Sequence, residues 1–86
     1  MKDVRIYTTQ TCPFCIRAKD LLHQKGVAFE EVDVTGDDAA RERLVALADG
    51  RKTVPQIFIG DQPIGGFSDL AALQLAGRLD ALLAAE

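Results

Sequence analysis

The sequence predicts an α/β fold in which a four-stranded mixed sheet packs with three helices, in the order β-α-β-α-β-β-α. Three features of the chain indicate this class. Short β-forming runs alternate with helical patterns over the first half, two β-forming runs separated by a tight turn follow, and a leucine-rich helical pattern comes last. The strand-helix-strand start implies parallel strands joined by a right-handed crossover, and the later pair implies an antiparallel hairpin.

Length, composition and charge narrow the possibilities. The 86 residues suffice for one small domain, residues 1–86, and a content of 48% hydrophobic and 27% charged residues is ordinary for a globular protein. A net charge of −3 argues against binding to nucleic acid or to an anionic membrane. No apolar run approaches the ~20 residues of a membrane span, and the N-terminus lacks the apolar region of a signal peptide. We therefore expect a cytoplasmic protein, in a compartment where structural disulfides are rare.

The first strand and the first helix flank the two cysteines of the chain. Residues 4–8 alternate in polarity and are rich in β-forming residues, which predicts a strand. Thr11 is the expected N-cap of the helix that follows, with Pro13 in its first turn, where proline is tolerated. Gly26 is expected to end this helix as its C′ residue. The predicted buried face consists of Phe14, Ala18, Leu21 and Leu22.

A second strand and a second helix come next. Residues 27–34 are predicted to be extended, with Phe29 and Val32 as the core candidates. The turn at residues 35–38 opens the helix and places two aspartates where the helix dipole favours negative charge. Asp49 and Gly50 are expected to stop it. The predicted buried stripe consists of Ala40, Leu44, Leu47 and Ala48.

The last third of the chain predicts a hairpin and a final helix. Residues 55–59 form the third strand and residues 63–65 a short fourth one, whose initial proline suggests the edge of the sheet. Ser68 is the expected cap of the final helix, with Asp69 in its first turn. Gly77 weakens that helix by about 1 kcal/mol relative to alanine without forbidding it. The predicted apolar side consists of Leu70, Leu73, Leu75, Leu79, Leu82 and Leu83.

The two cysteines lie close together in the stretch TTQTCPFC, residues 8–15. A metal clip, a structural disulfide and a redox pair are the three interpretations. A structural zinc site needs four ligands, and His23 lies about 80° around and about 12 Å along the helix from Cys15, too far to join it at one ion. A structural disulfide across so short a loop would stabilise the fold little.

The redox interpretation has a physical mechanism. Only a thiolate attacks a disulfide, and the amide groups and dipole at a helix N-terminus favour the thiolate form of Cys12. We therefore expect the Cys12 sulfur to be an exposed anion at the start of the first helix. Cys15 lies one turn later on the same face, deeper in the fold, where it can resolve a mixed disulfide on Cys12. Arg17 and Lys19 add positive charge nearby. A Cys-X-X-Cys pair that follows a strand and opens a helix is typical of thioredoxin-like redox motifs.

Three segments together resemble a known family. The stretches YTTQTCPFCIRAK, TVPQIF and GGFSDL, in this order and at these separations, are similar to those of dithiol glutaredoxins, especially the small bacterial class with a CPYC-type site. The resemblance covers nearly the whole chain. It implies the thioredoxin fold and glutathione-dependent thiol–disulfide oxidoreductase activity, with no tightly bound cofactor and glutathione as co-substrate.

The resemblance also implies roles for individual residues. Cys12 would be the nucleophile and Cys15 the resolving thiol. Residues 53–55 would form a cis-proline loop that pairs with the cysteinyl part of glutathione through the backbone of Val54. Residues 66–69 would hold its γ-glutamyl end, with the carboxylate on the helix N–H groups and the ammonium on Asp69. Gln10, Arg51 or Lys52 would reach its glycyl carboxylate. The implied glutathione-binding residues are Gln10, Pro13, Phe14, Arg51, Lys52, Thr53, Val54, Pro55, Gly66, Phe67, Ser68 and Asp69.

Three positions depart from the family pattern. Thr9 stands where many members carry a lysine, which removes one positive charge near the nucleophile and the glycyl carboxylate. Phe14 replaces the common tyrosine and keeps the ring without its hydroxyl. Phe67 stands where some relatives have a cysteine, so the chain lacks a third thiol. These departures bear on rates and affinity rather than on the type of chemistry.

The main functional hypothesis is an enzyme that reduces glutathionylated proteins and protein disulfides with glutathione. A redoxin reduced by thioredoxin reductase is one alternative. A dimer that binds an iron–sulfur cluster through Cys12 and two glutathiones is another, although Pro13 argues against it because cluster-carrying relatives often have CGFS or a serine there. The family suggests ribonucleotide reductase and glutathionylated proteins as partners, and we expect a monomer.

Overall fold

The computed structural model describes residues 2–84, and Met1, Ala85 and Glu86 of the predicted domain lie outside the described residues. Within these residues, the four strands of one sheet and four helices follow one another along the chain. Their bounds are β1 Val4–Thr8, α1 Pro13–Gln24, β2 Glu30–Asp33, α2 Asp38–Leu47, β3 Gln56–Ile59, β4 Gln62–Gly65, α3 Phe67–Leu75 and α4 Leu79–Ala84.

The sheet has the strand order β2-β1-β3-β4. Strand β1 pairs in parallel with β2 and antiparallel with β3, and β3 pairs antiparallel with β4. The predicted mixed sheet, with a parallel first pair and an antiparallel hairpin, is therefore confirmed. Strand β4, which contains Pro63, lies at an edge as predicted, where a missing N–H costs no ladder hydrogen bond.

Two clusters of apolar side chains cover the two faces of the sheet. Alternate residues of β1, Val4 and Ile6, join one cluster, because successive side chains of a strand point to opposite faces. Helices α1, α3 and α4 complete this cluster, which forms the main core. Helix α2 covers the other face with Leu44 and Ala48, which pack against Phe58. The buried members of the main core are Val4, Ile6, Ala18, Leu22, Val27, Ile57, Ile59, Leu70, Leu79 and Leu83.

The N-cap of helix α1 lies one residue later than predicted. Cys12, not Thr11, is the N-cap, with extended backbone angles and Pro13 as the first helical residue. The sulfur of Cys12 accepts the hydrogen bond that a hydroxyl would accept at an ordinary cap. The other end is confirmed, since Gly26 follows the C-cap with φ of 69°. Phe14 is 52% exposed, so its predicted place on the buried face is wrong.

The second strand is shorter than predicted. Strand β2 covers Glu30–Asp33 rather than residues 27–34. The buried residues are Val27 and Val34, which flank the strand, whereas Phe29 and Val32 are half-buried. Only four residues pair with β1 before the chain turns. Val27 and Val34 lie outside the strand and are buried from non-strand backbone.

Both aspartates of the predicted turn lie at the start of helix α2, as expected. Asp37 accepts a hydrogen bond from the N–H of Ala40 at 3.0 Å, and Asp38 lies in the first turn. The helix ends at Leu47, and Asp49 and Gly50 follow with positive φ. Leu47 is 56% exposed, so its predicted place in the buried stripe is wrong.

The final helix is divided in two. Its N-cap is Gly66 rather than Ser68, and the helix begins at Phe67. Gly77, with φ of 70°, adopts the left-handed conformation that ends α3, and Arg78 N–H then bonds back to the carbonyl of Leu73 at 2.9 Å. Beyond this break α4 buries Leu79 and Leu83, whereas Leu75, the last residue of α3, is 90% exposed.

Candidate active site

Cys12 lies at the mouth of helix α1. Its sulfur accepts a hydrogen bond from the backbone N–H of Cys15 at 3.1 Å. Pro13, the first residue of the helix, has no N–H. The backbone N–H groups that lack a partner within the helix, and can face the sulfur, therefore belong to the residues after Pro13. A negative charge on the Cys12 sulfur is thus met by an amide hydrogen and by the positive end of the helix dipole.

The loop before β3 closes over the same sulfur. Cys12 Sγ lies 3.7 Å from the carbonyl oxygen of Val54, to which a thiol can donate. The Val54–Pro55 peptide bond is cis, as the resemblance implied. Residues 42 positions apart in the chain therefore meet at the sulfur.

Both cysteines are more enclosed than the sequence indicated. Cys12 is 8% exposed, so the expectation of an exposed sulfur is wrong, and the carbonyl oxygen of Val54 lies against that sulfur. Cys15 is only 1% exposed and is the deeper of the two, as expected. Burial, together with the hydrogen bond to Cys12, raises the pKa of the Cys15 thiol to about 12. Cys15 is therefore a protonated thiol at neutral pH.

An aromatic pair borders the cysteines. The rings of Phe14 and Phe67 stack with centroids 6.4 Å apart and an interplanar angle of 29°. The guanidinium of Arg17 lies 5.4 Å from the centre of the Phe14 ring, within reach of a cation–π interaction. Phe67 belongs to the third predicted segment, so all three segments converge at this end of the molecule.

A polar network lies beside the end of β1. The hydroxyl of Thr8 donates to Glu31 Oε2 at 2.7 Å, and Lys19 Nζ donates to the same oxygen at 3.0 Å. The Thr8 hydroxyl, followed by Lys19, lowers the pKa of the Glu31 carboxyl. Lys19 therefore pairs with a carboxylate rather than serving only as free positive charge near Cys12. Sequence reasoning missed Thr8 and Glu31, although a threonine at the inward-facing end of β1 was a possible signal.

The third segment contributes a fixed carboxylate. Asp69 Oδ2 accepts a hydrogen bond from the N–H of Gly66 at 2.9 Å and another from Arg51 Nη1 at 3.0 Å. The Gly66 N–H, followed by Arg51, lowers the pKa of the Asp69 carboxyl. Arg51, which the resemblance placed at the glycyl carboxylate, thus lies at the end of the site where Asp69 is.

Two side chains that sequence reasoning missed hold the loop before β3. Gln56, 1% exposed, donates from Nε2 to the carbonyl of Thr53 at 2.9 Å and to its hydroxyl at 3.3 Å. Arg41 of α2 donates to the carbonyl of Lys52 at 3.1 Å. A glutamine inside an otherwise apolar strand was the signal for the first of these contacts.

The remaining predicted residues differ in exposure. Gln10 is exposed, and its backbone N–H donates to Thr35 Oγ1 at 2.9 Å, which ties it to the turn after β2. Pro55 is buried. The exposed residues are Pro13, Lys52, Thr53 and Ser68, and the half-buried residues are Val54, Gly66, Phe67 and Asp69.

Two clefts adjoin the fold. One, of about 370 Å³, is lined by Arg51, Gly65 and Asp69 among others and so lies within the predicted site. The other, of about 880 Å³, lies beside Tyr7 and Phe58, and its lining includes none of the predicted site residues. Site chemistry, rather than cavity size, therefore identifies the functional end of the molecule.

Within residues 2–84, no three His, Cys, Asp or Glu side chains group as a metal site would require. Over the same range no helix is long and apolar enough to cross a membrane.

Comparisons with known proteins agree with this site. The family model for glutaredoxins matches residues 4–64. A probable glutaredoxin of Synechocystis sp. is 60% identical over 81 residues, which cover 94% of this chain and 74% of that protein. Glutaredoxin 3 of Escherichia coli K12 is 54% identical over 83 residues, which cover 96% of this chain and 99% of that protein.

Solved structures agree as well. The solution structure of a glutaredoxin from Brucella melitensis superposes with a TM-score of 0.85 at 48% identity, covering 96% of this chain and 89% of that one. The crystal structure of a buckwheat glutaredoxin–glutathione complex gives a TM-score of 0.88 at 27% identity, covering 95% and 76%.

A thioredoxin-type sheet that carries a Cys-Pro-Phe-Cys pair at the start of a helix defines a thiol–disulfide oxidoreductase. The chain belongs to the glutaredoxin family.

Proposed function

We propose that the protein is a glutathione-dependent oxidoreductase that reduces protein–glutathione mixed disulfides and protein disulfides. The observation that carries the proposal is the position of the Cys12 sulfur between the Cys15 N–H and the Val54 carbonyl. The first group favours a thiolate, and the second belongs to the loop in which the family binds the cysteinyl part of glutathione.

The monothiol cycle uses Cys12 alone. Its thiolate attacks the glutathione sulfur of a mixed disulfide, which breaks the original S–S bond, and the released protein thiolate takes up a proton. A second glutathione thiolate then attacks the glutathione sulfur held on Cys12. Oxidised glutathione leaves, and the Cys12 thiolate is restored with its hydrogen bond from the Cys15 N–H.

The dithiol cycle adds Cys15. Cys12 attacks a protein disulfide and forms a mixed disulfide with one of its sulfurs, while the other protein sulfur leaves as a thiolate that can take up a proton. Cys15 then gives its proton to that thiolate and attacks the sulfur of Cys12. The second protein sulfur leaves as a thiolate and takes up a proton from solvent, which releases the reduced protein and leaves a Cys12–Cys15 disulfide for two glutathiones to reduce. Because the pKa of Cys15 is raised to about 12, this cysteine stays protonated until the mixed disulfide forms.

Glutathione binding is part of the proposal. The γ-glutamyl end would contact residues 66–69, the cysteinyl part the Val54 backbone, and the glycyl carboxylate Gln10, Arg51 or Lys52. The buckwheat relative, whose crystal structure is a complex with glutathione, supports glutathione as the ligand. We further propose that the protein acts as a monomer in the cytoplasm, on glutathionylated or disulfide-containing proteins such as ribonucleotide reductase.

Two residues favour thioredoxin reductase as an alternative electron donor. Thr9 and Phe67 depart from the family pattern in the glutathione site, and a redoxin that accepts electrons from thioredoxin reductase would have less need of that pattern. The chemistry at Cys12 would be the same.

A coupled assay separates the two donors. The protein is given a glutathionylated peptide, and NADPH consumption is followed with glutathione and glutathione reductase or, separately, with thioredoxin reductase. We expect turnover in the first system and only background in the second, with the Cys12→Ser variant at background in both. Turnover only with thioredoxin reductase would refute glutathione dependence.

A further inference from the structure

Two side chains from different elements hold adjacent carbonyls of the loop before β3. Arg41 of α2 donates to the carbonyl of Lys52 at 3.1 Å. Gln56 of β3 donates from Nε2 to the carbonyl of Thr53 at 2.9 Å and to its hydroxyl at 3.3 Å. Because Lys52 and Thr53 are exposed, burial of their side chains contributes little to fixing the backbone here. Arg41 and Gln56, together called the loop clamp below, therefore contribute more.

The buried member of the clamp serves the loop rather than the core. Gln56 is 1% exposed, and the rest of its strand is apolar and buried. An apolar side chain at this position would satisfy the core equally well, whereas a buried amide is costly unless it is hydrogen-bonded. The bonds to Thr53 meet that requirement, so the orientation of the glutamine and that of the Thr53 carbonyl fix each other.

The peptide plane between Thr53 and Val54 carries this constraint to the site. In a planar trans peptide the carbonyl and the N–H that follows point in opposite directions. The hydrogen bond from Gln56 to the Thr53 carbonyl therefore turns the Val54 N–H away from the buried glutamine. The Val54 carbonyl, on the next peptide, lies 3.7 Å from the sulfur of Cys12. The clamp thus fixes the backbone on both sides of Val54, beside the nucleophile.

We infer that Arg41 and Gln56 are positioning residues that give Cys12 its selectivity for disulfides that pair with the Val54 backbone. This inference rests on the proposed function, in which the cysteinyl part of glutathione contacts that backbone. A substrate that pairs with a fixed backbone avoids the entropic cost of ordering the loop. A disulfide that makes no such pairing has no benefit from the clamp, and the Val54 carbonyl obstructs its approach to the sulfur.

The test compares two mixed disulfides of one peptide. The first contains glutathione, and the second contains 2-mercaptoethanol, which lacks the peptide groups that could pair with Val54. With the reduced protein in excess, the second-order rate constant for loss of each disulfide is measured, and the selectivity is the ratio of the first to the second. Arg41→Met and Gln56→Met remove the two donors, and Arg41→Lys keeps one. The matched controls are Arg43→Met on the exposed side of α2 and Gln62→Met, exposed on β4.

We expect Arg41→Met to lower the selectivity about threefold and Gln56→Met to lower it about tenfold, because the hydrogen bond of Gln56 is the less exposed one. The rate constant for the glutathione disulfide should fall, and that for the 2-mercaptoethanol disulfide should stay the same or rise. Arg41→Lys should lie between Arg41→Met and the wild type. Both controls should match the wild type.

An unchanged selectivity in Arg41→Met or in Gln56→Met would overturn the inference alone, and equal losses on the two disulfides count as unchanged selectivity. An equal fall in Arg43→Met would also overturn it, because the effect would then follow net charge. If Gln56→Met does not fold, Arg41→Met decides the question, since its hydrogen bond is exposed. A wild type without preference for the glutathione disulfide would overturn the proposed recognition of glutathione and the inference together.

Discussion

The backbone N–H of Cys15 donates a hydrogen bond to the sulfur of Cys12 across 3.1 Å. The resolving residue therefore stabilises the nucleophile through its backbone, while its own thiol is held protonated by burial. The backbone contribution depends on the start of the helix and not on the Cys15 side chain, which allows the two roles to be separated by mutation.

Substitution of each cysteine by serine should separate the two cycles. Cys12→Ser removes the attacking sulfur, so we expect no reduction of either glutathionylated peptides or protein disulfides. Cys15→Ser keeps the N–H that faces Cys12, so it should retain much of the activity on glutathionylated peptides and lose reduction of protein disulfides. Both activities are measured with glutathione and glutathione reductase. If Cys15→Ser were as inactive as Cys12→Ser on glutathionylated peptides, the assigned roles would be wrong.

The Thr8–Glu31–Lys19 network should make stability sensitive to acid. The pKa of Glu31 is lowered in the folded state from its ordinary value of 4.5. Its contribution is therefore present above about pH 4.5 and is lost as the pH falls through the folded pKa. Because the Glu31 side chain is 37% exposed, we expect an effect below about 1 kcal/mol.

Urea unfolding from pH 7 to pH 3 measures this contribution. The Glu31→Gln variant should be less stable than the wild type at pH 7, and the difference should shrink toward pH 3. Glu42→Gln on the exposed side of α2 is the matched control. A pH-independent difference for Glu31→Gln would mean that ionisation of this carboxyl does not stabilise the fold.

The break between α3 and α4 should depend on Gly77. A side chain at φ of 70° is strained, so Gly77→Ala is expected to lower the free energy of unfolding by about 1 kcal/mol. Ser68→Ala, at the residue wrongly predicted to cap α3, should change it by less than about 0.5 kcal/mol. Urea denaturation of both variants checks this. A stabilising Gly77→Ala would indicate that the two helices form one continuous helix in solution.

The sequence predicted the order of elements well because that order depends on local patterns. Alternation in β1, Pro13 at the start of α1 and Gly26 at its end are signals carried by neighbouring residues. The first residue of each helix was harder to predict. At α1 a threonine and a cysteine stand at adjacent positions, and in the structure Cys12 is the cap, its sulfur accepting from the Cys15 N–H.

Parts of the site could not be predicted because they depend on distant residues. The enclosure of Cys12 comes from the Val54 carbonyl, 42 positions away. The meeting of Arg51 with Asp69 spans 18 positions and requires the close approach that Gly65 permits. Leu79 and Leu83 of α4 pack into the main core, whereas Leu75 is exposed, and the leucine spacing alone does not distinguish them.

Reaction with iodoacetamide at pH 7, followed by peptide mass spectrometry, tests most directly whether the start of α1 activates Cys12. The hydrogen bond from the Cys15 N–H should make Cys12 react faster than free cysteine under the same conditions. Cys15, with its pKa raised to about 12, should stay unmodified over the same period. A Cys12 that reacts no faster than free cysteine, or a Cys15 that is modified first, would contradict the proposed mechanism.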